Sequence, residues 1–411
     1  LKNSIDTDVL IIGAGPAGIA AAVGASQSGM KVSVIEKLAY PGGRATASSV
    51  GTICGLYFRG KEPDFAMNGF PQDFAKKFIA DYRNGPKRFA EDLWFISCPP
   101  SNFKSIAHHY LQNKNITSCF NSQITEIDLS QNKIKKVLIH SPNGELNLNI
   151  KSLIDCSGDG VSLGLTQHPV LNPDKQIQAS AIVFKLTDLS VISEFSLQHI
   201  LLKNITQQIQ NGSIPEHYNL LSIIPFSGNE NSFLFKQGIP WNTFEENRDS
   251  EKRARELVYE VHHFLKSTIS AFDNSKIEWI ADELGQRSGI RPLCKETLQE
   301  EDILNCSKKA TSIAKGVWPV EFWEIGSRKV QMTYFPEAEH YSIPAGCLIS
   351  GKIENLYFAG KLISSTEKAN ASSRVIGTCL ATGYSAGVLA AYAGKNIPEQ
   401  EAIKFIQSHL F

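Results

Sequence analysis

The chain opens with a continuous apolar run at residues 8–12 (DVLII), a break at Gly13, a stretch of small residues at 17–28 ending near Gly29, and a second apolar run at 31–36 (KVSVIE). Continuous rather than alternating apolar runs predict strands buried on both faces, and the small residues between them predict a helix packed close to those strands. Residues 8–36 therefore read as a compact strand–helix–strand unit. Further on, 103–114 carries a helical pattern and 116–120 a strand pattern. Residues 123–128, 134–140 and 145–150 alternate as a three-stranded meander, with Pro142, Asn143 and Gly144 supplying a turn. The segment 152–156 (SLIDC) closes this half as another buried strand.

Between about 165 and 339 the pattern changes to mixed strands and longer polar helices, of which 245–267 is the clearest. After Ile343 it changes back, with a buried strand at 355–359 (NLYFA) and a small-residue helix at 375–391. The expectation is an α/β fold: a Rossmann-like nucleotide-binding domain made from both chain ends, residues 1–164 and 340–411, around an inserted α+β substrate domain at 165–339. Residues 60–100 stay open between the two.

Composition narrows the partners. The 411 residues carry 41 Lys+Arg against 41 Asp+Glu, and this neutrality argues for a small-molecule substrate and against nucleic acid. Eight cysteines show no C-x-x-C pair and no regular spacing, so reduced thiols in a cytoplasmic protein are expected, with no metal site and no disulfide framework. The uncharged stretch 9–30 has the length of a membrane span, but Asp6 and Asp8 precede it and five glycines and a proline interrupt it. It reads as strand, turn and helix, and no membrane span is expected. Leu1 stands where a Met would begin a chain, which leaves room for an upstream targeting segment.

The candidate chemistry begins at the first break. Gly13-Ala14-Gly15-Pro16-Ala17-Gly18 is G-x-G-x-x-G between a strand and a helix. Gly13 permits the tight turn, Gly15 lets backbone approach a pyrophosphate at the helix N-terminus, and Gly18 lets helix pack on strand. Glu36 ends the second strand, placed to accept hydrogen bonds from ribose hydroxyls. This fingerprint fits FAD and NAD alike. Gly42-Gly43-Arg44 adds backbone donors and a cation for a phosphate. Gly158-Asp159-Gly160 with Gly164 imitates a second nucleotide loop, but 180–184 (SAIVF) carries no acid at its tip, so a separate NAD site is not expected.

In this order, the glycine fingerprint, distal acid and following Gly-Gly resemble the two-dinucleotide-binding-domain flavoproteins of the glutathione-reductase type. The C-terminal block resembles the FAD-dependent oxidoreductase family of bacterial proteins more specifically. It runs Tyr341-Ser342-Ile343-Pro344, then Asn355-Leu356-Tyr357-Phe358-Ala359-Gly360, then Arg374-Val375-Ile376-Gly377-Thr378-Cys379. Residues 284–304, with Arg287 and Arg291, resemble that family's paired-arginine segment. The resemblance implies bound FAD, with contacts at Gly13, Gly15, Pro16, Ala17, Gly18, Glu36, Lys37, Gly43, Arg44, Ala45, Thr46, Ile124, Gly158, Asp159, Gly360, Lys361, Arg374, Val375 and Thr378. Lys361 departs from the pattern, standing where many such flavoproteins have Asp. A helix beginning near Val375 would aim its N-terminus at the flavin pyrimidine edge and favour negative charge there.

Reactive groups are less sharply marked. Cys54 lies downstream of the Gly-Gly pair and reads either as a buried thiol or as a nucleophile. His340 and Tyr341 enter the Ile343-Pro344 strand as acid/base or junction side chains. Arg287 and Arg291 read as a clamp for a substrate carboxylate or as structural ion pairs, and Trp318 and Trp323 as a substrate wall or core. The expected function is FAD-dependent two-electron (hydride) transfer between a small organic substrate and flavin N5, the electron acceptor being unidentified. Two rivals are a flavin monooxygenase using external NAD(P)H and oxygen, and a non-catalytic flavin-binding protein.

Overall fold

The computed structural model describes residues 4–172, 176–243, 249–325 and 329–411. Strand Ser4–Ile12 is the middle of its main sheet, pairing in parallel with Val32–Ile35 on one side and Gly144–Asp155 on the other. Val32–Ile35 is followed outward by Ile116–Cys119, also parallel. The strand Leu356–Phe358 pairs in parallel with Leu153 to Asp155, so both ends of the chain build one sheet. The antiparallel strands Gln123–Ser130 and Lys133–Ser141 complete it.

The two strands expected at 145–150 and 152–156 are a single strand, Gly144–Asp155. Its two halves have different surroundings. The first pairs antiparallel with Lys133–Ser141 and keeps an alternating burial pattern, whereas the last four residues lie inside the parallel sheet and are all buried. The change of hydrophobic period that implied a break therefore marks a change of neighbours.

Helix Pro16–Gln27 covers this sheet and packs against helix Ile376–Gly394. Their backbones touch: a Cβ on Gly383 would stand 2.1 Å from the carbonyl oxygen of Ala17. The small-residue pattern of both segments is what permits that approach. Among the described residues Ile376–Gly394 is the one helix long and apolar enough to cross a membrane, and 89% of its apolar window is buried in the molecule, as in a core helix.

A second sheet has the order Leu221–Ile223, Phe233–Gly238, Ala181–Thr187, Lys276–Ile280, all antiparallel. One face, with Ile182, Phe184 and Phe235, packs under helices Glu194–Gln210 and Ser250–Thr268. The helix expected at 245–267 is thus Ser250–Thr268, and residues 245–248 of that expectation lie outside the described residues. The other face presents Val183, Ile224, Leu234 and Ala281. Side chains from within 165–339, including Leu298, Ile313, Val320 and Phe322, join the core over the parallel sheet, as do Phe70, Phe74, Phe78 and Ile96 from 60–100.

Candidate functional site

Several strands of the parallel sheet end on one cavity of about 430 Å³, which Ile12, Ile35, Cys156 and Gly360 all line. Beyond the carboxyl ends of parallel strands no further ladder bonds are needed, and loops there are free to form a binding crevice. The first of these loops leaves Ile12 through Gly13, at φ +93°. A Cβ on Gly18 would lie 1.8 Å from the Gly13 carbonyl oxygen, so the helix can start this close only with glycine there. Gly15, the N-cap, supplies no side-chain cap, and Gly15, Pro16 and Ala17 face the cavity. The free N–H groups of that first turn make a ready anion site.

Gly43 closes over the same turn. Its φ is +51°, and a Cβ there would stand 2.9 Å from the Gly15 Cα. Glu36 accepts one hydrogen bond from Ala14 N at 2.8 Å and one from Leu38 N at 2.9 Å, which pins its buried carboxylate beside the glycine turn. Burial raises its pKa against the pull of those two N–H groups.

Asp155 ends the long strand and is fully buried, accepting from Ser157 N and Oγ and from Ser162 N and Oγ. This knots the turn that presents Gly158 and Asp159. Asp159 pairs with Lys37 at 3.4 Å and Arg44 at 3.3 Å, and Lys37 and Arg44 also meet Glu283. Burial opposes the Asp159 carboxylate, but Lys361, Arg44 and Lys37 outweigh it and hold its pKa below the usual range. Lys361 donates to the carbonyl oxygens of Ser288 and Gln286 at 3.4 and 3.5 Å, and burial lowers its pKa from 10.5 to about 8 despite Asp159.

The sign of this shift yields a test. A lysine whose folded pKa is depressed binds fewer protons folded than unfolded between the two values, so its contribution to stability rises with pH there. Between about pH 8 and 10.5, wild type is therefore expected to gain stability relative to Lys361→Met. Urea midpoints at stepped pH measure it, and a constant difference across that window would show that Lys361 is not held as a buried cation.

The helix Ile376–Gly394 begins at the cavity too, with Val375 as an N-cap lacking a side-chain cap, and Val375 and Ile376 in the lining. Gly377 N donates to the Cys54 carbonyl at 2.8 Å, leaving no room for a Cβ. Beside this helix start lies a polar cluster of Lys236, Arg287, Glu321 and Arg374, all lining the cavity. Glu321 accepts from the indole N–H groups of Trp318 at 3.0 Å and Trp323 at 2.7 Å. Burial works against the Glu321 carboxylate, but Lys236 and Arg374 help keep it below the ordinary range.

Of the residues singled out in the sequence, Gly13, Gly15, Pro16, Ala17, Glu36, Lys37, Gly43, Arg44, Ala45, Ile124, Gly158, Asp159, Gly360, Lys361, Arg374, Val375, Cys54 and Arg287 line this cavity. Gly18, Thr46 and Thr378 stand behind it: Thr46 donates to Gly43 O and Pro41 O, and the buried Thr378 hydroxyl has no partner among the described residues. His340 and Tyr341 lie elsewhere. Tyr341 is fully buried with its hydroxyl on Ser372, and His340 packs beside Phe58, its pKa lowered by burial to about 4. Arg291 also lies off the cavity, ion-paired with Glu367 at 2.5 Å. Cys54 is at the cavity, but burial pushes its thiol up to about 12, so it stays protonated at neutral pH.

Lys236, Glu321 and Glu283 were not legible as site residues. Lys236 had one weak signal, a lone cation in the apolar strand Phe233–Gly238 (FLFKQG), where alternation sets it on the face opposite Phe233 and Phe235.

Comparison with known proteins agrees with this geometry. The family model described as FAD dependent oxidoreductase matches residues 8–408. A stretch of 42 residues is 52% identical to part of the hydroxyneurosporene desaturase of Rhodobacter capsulatus, covering 10% of this chain and 8% of that protein. The chain thus spans a small part of that relative's length. The OxyS anhydrotetracycline hydroxylase of Streptomyces rimosus superposes with a TM-score of 0.51 at 12% identity, over 98% of this chain and 66% of its own. A geranylgeranyl bacteriochlorophyll reductase-like protein of Thermoplasma acidophilum gives 0.48 at 12% identity, over 99% and 83%. The hydroxylase shows a shared fold and nothing finer, and the second likeness is too low to argue from. The family match takes in both glycine loops, the meander and the C-terminal helix, and by it the chain belongs to the FAD dependent oxidoreductase family.

Proposed function

We propose that this protein is an FAD enzyme of glutathione-reductase-type architecture that moves two electrons between a small organic substrate and the flavin. Residues 1–164 and 340–411 would hold the cofactor, and the antiparallel sheet between Ala181 and Ile280 would form the substrate side of the cavity. The observation that carries this reading is the contact of Gly15 with Gly43 over an uncapped helix start, with the Glu36 carboxylate fixed beside it. A side chain on either loop would narrow this cradle, and its donor set is that of a pyrophosphate and ribose site.

The residues present fit FAD. The first turn of helix Pro16–Gln27 and the Gly43 loop would hold the pyrophosphate, with Arg44 and Lys361 as nearby cations, and Glu36 would take the ribose. Bound there, FAD supplies the two-electron acceptor, with N5 as the hydride position. The uncapped N-terminus of Ile376–Gly394 and Arg374 before it favour negative charge where they meet the cavity. Val50, Val183, Ile224 and Pro225 give the substrate side an apolar lining.

Purified protein is expected to show a flavin spectrum, or to gain one on adding FAD, and to be bleached anaerobically by a member of a library of small organic acids, alcohols and amines. Protein that neither carries nor binds FAD would end this reading. Oxygen-coupled NADPH consumption would turn it to the monooxygenase, and a flavin that no metabolite reduces to the non-catalytic binder.

A further inference from the structure

We propose that the cavity end where Lys236, Arg287 and Arg374 meet Glu321 binds the carboxylate of an organic acid whose apolar body lies along Val183, Ile224 and Pro225. This deepens the proposed function, because it takes the cavity as the substrate site of a flavin enzyme. Strand alternation brings Lys236 to the cavity face. Among the described residues its ammonium makes no hydrogen bond and no ion pair, and its contact is the Trp323 ring, 4.3 Å away. Arg287 lies on the same ring at 4.4 Å and spends one donor on the Ala179 carbonyl. Arg374 donates to Gln178 at 3.0 Å, while its Nε is buried without a partner among the described residues.

The charges do not balance. Three cations face the carboxylate of Glu321, whose two oxygens are already engaged by two indole N–H groups. The other acid close by, Glu367, is turned to Arg291, Ser288 and Gln178. Lys236 and Arg374 are half-buried and Arg287 is buried, and cations drawn out of water without a matching anion cost free energy, so such a site persists where something anionic is to be received. Burial acts in the same direction, lowering the pKa of Lys236 to about 8 and that of Arg287 to about 9. The adjoining walls are apolar, which suits an acid with one small charged end. A phosphate ester would bring polar groups that these walls cannot satisfy.

The test uses protein supplemented with FAD. Benzoate, phenylacetate and octanoate are titrated, with benzamide, octanol and inorganic phosphate as controls, reading both the flavin difference spectrum and tryptophan fluorescence. Benzoate and octanoate are expected to bind about tenfold or more tightly than benzamide and octanol, and Lys236→Met and Arg287→Met to lose about tenfold or more of the affinity for all three carboxylates. Lys236→Met removes no hydrogen bond, so its melting temperature without ligand is expected to match or exceed wild type, while the shift produced by benzoate shrinks. Benzoate affinity is expected to fall above about pH 8 as Lys236, facing Arg287, Glu321, Cys54 and Arg374, loses its proton.

Benzamide binding as well as benzoate, phosphate binding more tightly than any carboxylate, or both variants keeping affinity within about threefold of wild type would overturn the proposal. Carboxylate binding in protein that takes up no flavin would support this site and overturn the flavin reading. Flavin binding without carboxylate binding would do the reverse.

Discussion

Gly15→Glu is expected to give folded protein that carries no FAD. The nearest heavy atom to a Cβ at Gly15 is the Gly43 Cα at 3.7 Å, an ordinary contact, so the backbone need not move. The added carboxylate, however, would enter the gap between the two glycine loops and engage the N–H groups of the helix start. A like charge about 4 Å from a pyrophosphate costs about 4 kcal/mol at an effective dielectric of about 20, close to three orders of magnitude in affinity. Gly18→Glu is expected to behave differently. Its Cβ would lie 1.8 Å from the Gly13 carbonyl oxygen, so the strand–helix packing itself fails and the protein is recovered poorly or unfolded. Visible absorbance per polypeptide, FAD titration and circular dichroism separate the two outcomes. Wild-type flavin content in Gly15→Glu would show that the cofactor, if any, does not sit on this loop.

Glu367→Gln is expected to destabilise the fold by about 3–5 kcal/mol, the usual consequence of removing one partner of a buried ion pair. Arg291 and Glu367 are 6% and 4% exposed and meet at 2.5 Å, and Ser288 and Gln178 also donate to Glu367. The neutral amide removes the carboxylate that meets this buried guanidinium at 2.5 Å. Arg291 also donates to the Ser365 carbonyl, so the pair ties the segment after Gly289 to helix Glu367–Ser373, which ends at Arg374. The double replacement Arg291→Met with Glu367→Met is expected to cost less than Glu367→Gln alone, because both charges of the pair are then removed together. Urea unfolding of the three variants measures this. Glu367→Gln within about 1 kcal/mol of wild type would show the pair to be poorly formed. The same geometry makes Arg291 a structural cation, whereas Arg287, four residues earlier, turns to the cavity.

That contrast shows where reading the sequence stops. Both arginines lie in one segment with the same apparent role, and their separation depends on a carboxylate 76 residues away from Arg291. Cys54, His340 and Tyr341 were equal candidates along the chain. Only the fold brings Cys54 to the cavity, with its thiol silenced by burial, and keeps Tyr341 fully buried on Ser372. Lys236 carried a hint in being the one charge of its strand, but nothing local says that its face of the sheet lines a cavity.

The sequence by itself determined the glycine turn, its flanking strands and helix, and the acid at Glu36. These rest on short-range causes: the period of apolar residues, the φ that glycine alone adopts easily, and small residues where backbones touch. Tertiary structure alone decided that the two halves of Gly144–Asp155 are one strand and that residues near 300–322 serve the main core. It also decided that Lys236, Arg287, Glu321 and Arg374 converge. Those four stand on separate segments, and the charge imbalance they create is a property of the space between them, which no local pattern encodes.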